Sequence, residues 1–501
     1  MKVLKYLFPI LLLTFATSSC DSISFGDVNE DDDAVTAPNT EGLMAGAMNR
    51  FFTLSGRDHF AKPTLYVQYQ AQNVYTDEQR YNESPANWQW YYLGTLSNLD
   101  DIVKINSAED VDDLTLTYGA PANQIGVAEL MSALIWKRIT DVWGPVPYEE
   151  SLSESVSPVY TDQETIYKDL ISRVKAARDQ LDSSLRGPTG DVLYGGDVMK
   201  WKKFANSLIL SLTMQLTKRY PSSSEYSATE FNTALNHSAG VIESLGDEMW
   251  YEHANAQGAQ NPLSAFRPAD YNLAEPFVDA LKGQADGSTI TYSNSTYDNR
   301  LEVFADDPSL EGRPYGLDSY PDGAGPYSNI SEEVGFNNPA APLPYMTAAY
   351  TFLNRAEASA RGWTSEDAQT MLENGILMSF ATIDLNWDDG SATNGNLQDD
   401  GTGYANNRLN DAMNVGILQV IAEEKWVALF PMGFDAWSEW RRTGIPGLIP
   451  STDAFNDGSI PRRYLYPSTE SGVNTSNYQA GVNLLTPSND SNTSRFWWDI
   501  N

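Results

Sequence analysis

Residues 199–219 read MKWKKFANSLILSLTMQLTKR, and their spacing decides the fold class. Trp201, Phe204, Ala205, Leu208, Leu212 and Leu216 recur every three or four residues, which lays them along one stripe of an α-helix. Lys202, Lys203, Lys218 and Arg219 fall on the polar side or at the end, where positive charge suits the helix dipole. A second stripe, Met346, Ala349, Leu353, Ala356 and Ala360, runs through 345–361, and its alanines permit close approach of a partner helix. Gly362 follows at a position suited to the left-handed residue that ends a helix. Thr364 or Ser365 can then cap a second helix over 366–382. The two helices and their turn take about 38 residues, near the ~34-residue period of a tetratricopeptide helix pair.

The same periodicity predicts helices at 41–54, 61–74, 88–106, 122–141, 162–182, 227–244, 273–282, 412–428 and 434–442. Between them, 183–198, 246–272, 283–342, 387–410 and 445–501 hold most of the Pro, Gly, Asn and Asp and read as irregular. The expectation is a mainly α-helical protein, a tetratricopeptide-like helix-pair scaffold with long irregular loops packed against it. One domain would span 41–501.

Composition excludes several functions. The 501 residues carry 32 Lys+Arg against 67 Asp+Glu, a net charge of −35, which repels nucleic-acid phosphates. One cysteine and three histidines (His59, His237, His253) rule out a disulfide framework and a Cys-rich metal site. There is no G-x-x-x-x-G-K-[ST], G-x-S-x-G or H-E-x-x-H motif, so no cofactor and no resident metal are expected. Asp384, Asn386 and Asp388 imitate the opening of a calcium loop, but Asp389 stands where glycine is required and Gly395 where glutamate is. The acidic loop 387–401 reads as a solvated, Asx-rich loop, with an adventitious calcium ion as the alternative. A glycoside hydrolase needs only two carboxylates, and 67 supply pairs without specificity. A surface-tethered hydrolase therefore stays as the enzymatic alternative, beside a helical scaffold that binds only protein.

The first twenty residues read as an address. Lys2 and Lys5 precede an apolar run from Tyr6 to Ala16, too short to cross a bilayer core of ~30 Å. Thr17-Ser18-Ser19-Cys20 then places the sole cysteine where a bacterial lipoprotein signal has its acylated residue. Residues 1–20 are expected to be a lipoprotein signal peptide with Cys20 lipidated. Residues 21–40 are expected to be a flexible acidic tether to a membrane lipid.

Aromatic residues point to the ligand. Sugars present flat C–H faces beside hydroxyls, so their sites combine aromatic rings with Asn, Asp, Gln and Arg. One such mixture is 75–81, YTDEQRY, leading into Trp88, Trp90, Tyr91 and Tyr92; another is 266–271, FRPADY, with Tyr315, Tyr320 and Tyr327. Trp88, Tyr92, Leu96 and Leu99 form a helical stripe and read first as core. Tyr75, Arg80, Tyr81, Phe266, Arg267, Tyr271 and Tyr320 lie outside the strong stripes. They are expected to be exposed ligand-binding residues on loops.

Several stretches together resemble one family. They are FGDVNEDDDAVTAP (25–38), DVWGPVPYEES (141–151), WKKFANSLILSLTMQL (201–216), YDNRLEVF (297–304), LNRAEASARGW (353–363) and NGILMS (374–379). EEKWVALFPMGFDAWSEWRRTGIPGL (423–448), IPRRYLYPSTE (460–470) and FWWDI (496–500) complete the set. In this order they resemble the SusD/RagB family of outer-membrane nutrient-binding lipoproteins, in its second SusD-like branch. The resemblance implies a non-catalytic protein on the cell surface that captures oligosaccharides, or in some members peptides. It also implies a partner, a SusC-type TonB-dependent outer-membrane barrel. Within 423–442 the residues themselves predict a buried helix pair, with Arg441 and Arg442 bonded to carboxylates such as Glu423 or Glu424.

Overall fold

The computed structural model describes residues 39–500 except 154, 268, 322 and 388–396. The signal peptide, Cys20, nearly all of the tether and most of the acidic loop considered for calcium lie outside the described residues.

Six helices of ten or more residues open the domain: α1 Thr40–Phe52, α2 Ser97–Asn106, α3 Pro121–Trp143, α4 Gln163–Gln180, α5 Val198–Gln215 and α6 Tyr226–Leu235. Each packs on the next in sequence. Helix α7, Glu275–Lys282, follows inside the loop region. A second group comprises α8 Ala348–Ala360, α9 Ala368–Asn386, α10 Leu397–Val415, α11 Ile417–Ala428 and α12 Gly433–Thr443. It joins the first where α8 packs on α5 and α12 on α3. This is the expected mainly α-helical, helix-pair scaffold, to which four short two-stranded antiparallel pairings are added.

The local chemistry explains the helix ends. Asp162 caps α4 by accepting from Thr165 N (2.9 Å), and Asp197 caps α5 from Met199 N (3.0 Å). The stripe read in 199–219 is buried along its whole length, including Leu216 just past the helix. Gly362 has φ 70° and closes α8 as expected. Asp367, rather than Thr364 or Ser365, caps α9 through Thr370 N (2.8 Å), so that helix starts later and runs on to Asn386. The two helices approach closely at Gly375, where a Cβ would sit 2.8 Å from Leu353.

Four expected helices are corrected. The segment 61–74 stops being helical at Tyr66, because Gln68 turns the chain at φ 58° and Gln70–Gln72 pairs with a distant strand. The segment 88–106 breaks at Leu93 and Gly94, the latter at φ 77°, before α2 begins. The segment 227–244 ends at Leu235. The segment 412–428 is interrupted by Gly416 at φ 96°. The stretch read as loop 387–410 instead holds most of α10. Its anchors are Tyr404 and Arg408, both buried, not a leucine stripe. Short helices at Glu470–Val473 and Thr475–Asn483 likewise lie inside the stretch read as irregular, 445–501.

Arg408 belongs to a buried ion network. Its Nε donates to Glu424 (2.7 Å) and its Nη2 to Glu423 (2.6 Å), while Arg300 bridges Asp298 (2.6 Å) and Glu424 (2.9 Å). Arg442 pairs not with these carboxylates but with Glu357 (2.6 Å) and Glu439, and Lys425 joins Glu357 (2.6 Å). Burial alone would raise the Glu357 carboxyl, but Arg442 and Lys425 outweigh it and hold the group well below the usual carboxylate range. Arg441 pairs with no carboxylate among the described residues. It donates to the carbonyls of Asp141 (2.6 Å) and Arg462 (2.8 Å) and lies 3.8 Å over Trp437. The sequence motifs of 297–304, 353–363 and 423–442 therefore mark the scaffold.

Candidate functional site

The candidate site is assembled by a strand pairing that joins residues 200 positions apart. Gln70–Gln72 runs antiparallel to Tyr271–Leu273, with Gln72 opposite Tyr271. Beyond it, Asn73 N donates to Asp270 O (2.7 Å) and Asn73 Nδ2 to Ala269 O (2.9 Å). The two aromatic loops singled out in the sequence thus meet.

A third segment closes around them. Gln79 Nε2 donates to Leu317 O (3.2 Å) and Tyr320 Oη (3.3 Å), and Thr76 Oγ1 donates to Asp318 O (3.1 Å). Arg80 pairs with the Asp318 carboxylate, donates from Nε to Asp453 O (3.0 Å) and lies 4.1 Å over the ring of Phe455. Between 73–76 and the segments 318–321 and 323–324 lies a solvent-open cleft of about 460 Å³, lined by Tyr75, Tyr320 and Arg313 among others. Tyr75 stands out at 67% exposure. Arg313 lies 4.6 Å from the Tyr320 ring and 4.5 Å from the Tyr327 ring, and its Nε donates to Asn272 Oδ1 (2.6 Å).

The backbone of this region is unusual. Among the described residues, the non-glycine positions with positive φ are Gln68, Tyr75, Tyr81 and Asn337; three of these four lie between 68 and 81, and one, Tyr75, lines the cleft. Each such residue costs roughly 1–3 kcal/mol and persists only where its surroundings hold it. The hydrogen bonds of Thr76, Gln79 and Arg80 supply that hold.

The predicted site residues divide into two sets. Tyr75 and Tyr320 line the cleft, Arg80 braces it, and Arg267 is exposed at the turn, 3.7 Å from Asp270. The expected exposure of Tyr81, Phe266 and Tyr271 is corrected: Tyr81 is fully buried, and the other two are 7% exposed. Tyr81 Oη accepts from Ser451 N (3.0 Å), and burial pushes its hydroxyl up to about 12. Phe266 packs on Tyr271 (5.1 Å) and Phe60 (6.1 Å). Long loops that pack on a scaffold need their own apolar core, and these rings provide it. Trp88 is core as read, set against Trp143 (5.7 Å) and Tyr466 (5.8 Å).

Sequence reasoning missed Arg313, Asp318, Asp453 and Phe455. For Arg313 a signal existed, since it is the sole Lys or Arg between Arg300 and Arg355.

A helix-pair scaffold that displays a loop-built, aromatic-walled cleft defines the class of protein. The chain belongs to the second SusD-like family, whose model, described as "Starch-binding associating with outer membrane", matches residues 32–467. Among solved structures, a chitin-binding SusD homologue from Flavobacterium johnsoniae is 22% identical, covering 92% of this chain and 99% of that one, with a TM-score of 0.73. A SusD homologue from Bacteroides fragilis is 20% identical over 92% and 100% of the two chains (TM-score 0.75). One from Parabacteroides distasonis is 20% identical over 92% and 98% (TM-score 0.73). At such identities the likeness establishes the fold. No curated protein matches the sequence. Among the described residues, no helix is long and apolar enough to cross a membrane, and no cluster of His, Cys, Asp and Glu is placed to hold a metal ion.

Proposed function

We propose that this chain captures oligosaccharides at the bacterial outer membrane, without catalysis, and delivers them to a SusC-type TonB-dependent barrel. The family is described by binding, not by turnover, and one structural relative is described as chitin-binding. The observation that carries the reading is the cleft itself. Tyr75 and Tyr320 offer ring surface, while Asn73, Arg313 and Asp318 offer donors and acceptors within the same opening. That combination suits the alternating C–H faces and hydroxyls of a sugar chain.

The anchoring belongs to the same proposal. Removal of residues 1–20 and acylation of Cys20 would tether the domain, with each buried CH₂ contributing ~0.8 kcal/mol. Residues 21–40 would give it reach from the membrane, with the domain facing the cell exterior.

A glycan and peptide array probed with the purified protein tests the reading. Retention on oligosaccharide spots without their hydrolysis supports it. Retention on peptides alone, or turnover abolished by one carboxylate-to-amide change, contradicts it.

A further inference from the structure

We propose that the Arg313 guanidinium is an anion subsite of the cleft, so that the preferred glycan carries an acidic group, a uronate carboxylate or a sulfate ester, on the sugar beside Tyr320. This rests on the glycan-capture reading above and narrows its ligand class.

Arginine has five N–H donors in a fixed fork. The Nε of Arg313 is spent on Asn272 Oδ1, but Nη1 and Nη2 donate to no described residue, and no described carboxylate pairs with the group. The buried guanidiniums of the scaffold are different. Arg300, Arg408 and Arg442 each hold two or more carboxylates. Arg441, which also pairs with no described carboxylate, gives its donors to Trp437 O, Asp141 O, Arg462 O and Ser438 Oγ. Arg313 alone in this comparison keeps both terminal nitrogens uncommitted, and it does so on the wall of an open cleft.

Its orientation is fixed in advance. The rings of Tyr320 and Tyr327 hold the guanidinium at 4.6 and 4.5 Å, Tyr320 is itself tied to Pro314 O (2.8 Å), and Asn272 sits on the strand pair. With its position held by ring contacts and its Nε occupied, what remains for a ligand is the Nη edge, which matches an oxyanion bidentately. The residue is 6% exposed, so the cation is largely desolvated, with no counter-ion among the described residues of a chain of net charge −35. A ligand oxyanion would supply the missing partner.

Titration calorimetry on the full-length mature protein in detergent, at ~0.15 M salt where the Debye length is about 8 Å, tests this with two matched pairs. The first pair is an oligogalacturonate and its methyl ester; the second is a 6-O-sulfated chito-oligosaccharide and its unsulfated form. The acidic member of at least one pair should bind tenfold or more tighter than its neutral partner, and the pair that responds identifies uronate or sulfate. Arg313→Gln should collapse that ratio below threefold. Arg313→Lys, which keeps charge but loses the fork, should cut it at least threefold and stands in if the glutamine variant does not fold. Neutral members that bind as tightly as acidic ones, or a ratio that survives Arg313→Gln, overturn the inference and leave glycan capture standing. Failure of every sugar to bind the folded protein overturns both. Arg313-dependent binding of an oligoglutamate peptide without sugar binding overturns the glycan assignment.

Discussion

The buried network between α8, α11 and α12 and the cleft wall at 313–327 use the same residue type for opposite ends. In the network, Arg442 meets Glu357 and Glu439, and Lys425 shares Glu357, so that positive and negative charge close on one another out of water. At the cleft, Arg313 is held by two tyrosine rings and one amide oxygen, with its outer edge unspent. Where cations are saturated by carboxylates they define the scaffold. Where a cation is held by rings with donors left over, it is available to something that arrives from outside.

The largest effect that can break this contrast lies in the network. Glu357→Gln leaves Arg442 and Lys425 short of their shared partner, and breaking a buried pair costs about 3–5 kcal/mol. Urea unfolding should show a free energy of unfolding lower by that amount and a midpoint shifted down accordingly, while the protein that remains folded keeps its affinity for glycan. An unchanged midpoint would mean that the network is dispensable.

Tyr81→Ala comes next and separates the two sets of aromatic residues. Tyr81 is fully buried and receives a bond from Ser451 N, so truncation should cost about 3 kcal/mol of stability. A variant with an unaltered melting temperature and weakened ligand binding would return Tyr81 to the binding surface.

Acid sharpens the comparison on the scaffold side. Burial pulls the His253 imidazole down to about 4. The unfolded chain, titrating near the usual 6.5, takes up this proton first. Stability from this residue is therefore complete above pH 6.5 and falls as pH drops toward 4, by about 2 kcal/mol between pH 7.5 and 5. Burial lowers His59 and His237 as well, so they act in the same direction. The measurement is thus the difference between wild type and His253→Phe, whose unfolding midpoint should vary less over this range. Parallel pH profiles would refute the assignment.

Much of the scaffold was legible because it follows from spacing along one segment. The 199–219 stripe, the Gly362 turn and the core role of Trp88 need only a local pattern. The segment 397–415 did not yield to that reading, because its helix is held by Arg408 reaching Glu423 and Glu424 and by Tyr404 bonding to Glu424. Charge pairing of this kind has no periodicity. The loops carrying the candidate site were identified from their aromatic and polar composition, and Tyr75, Arg80 and Tyr320 came together. Composition could not tell Tyr75 from Tyr81. Both lie in one seven-residue stretch with φ near 60°, yet one faces the cleft and the other is fully buried. Tyr81 is buried by partners far away in sequence, with Ser451 N donating to its hydroxyl across 370 positions and Asn492 Nδ2 to its carbonyl, and no local pattern carries such contacts.

The smallest expected effect is also the most direct measurement of the central claim, that glycan is captured in the cleft between 73–76 and the segments 318–321 and 323–324. It is the affinity of Tyr75→Ala, by calorimetry, for an oligosaccharide that the wild-type protein binds. Loss of an aromatic platform costs about 1.4 kcal/mol or more, a tenfold change in Kd. Because Tyr75 is largely exposed, the melting temperature should stay within a degree or so of wild type, as for ordinary surface substitutions. A tenfold weaker Kd at an unaltered melting temperature is the predicted result. An unchanged Kd for Tyr75→Ala, together with lost binding in Trp90→Ala on the exposed face outside the cleft, would contradict it.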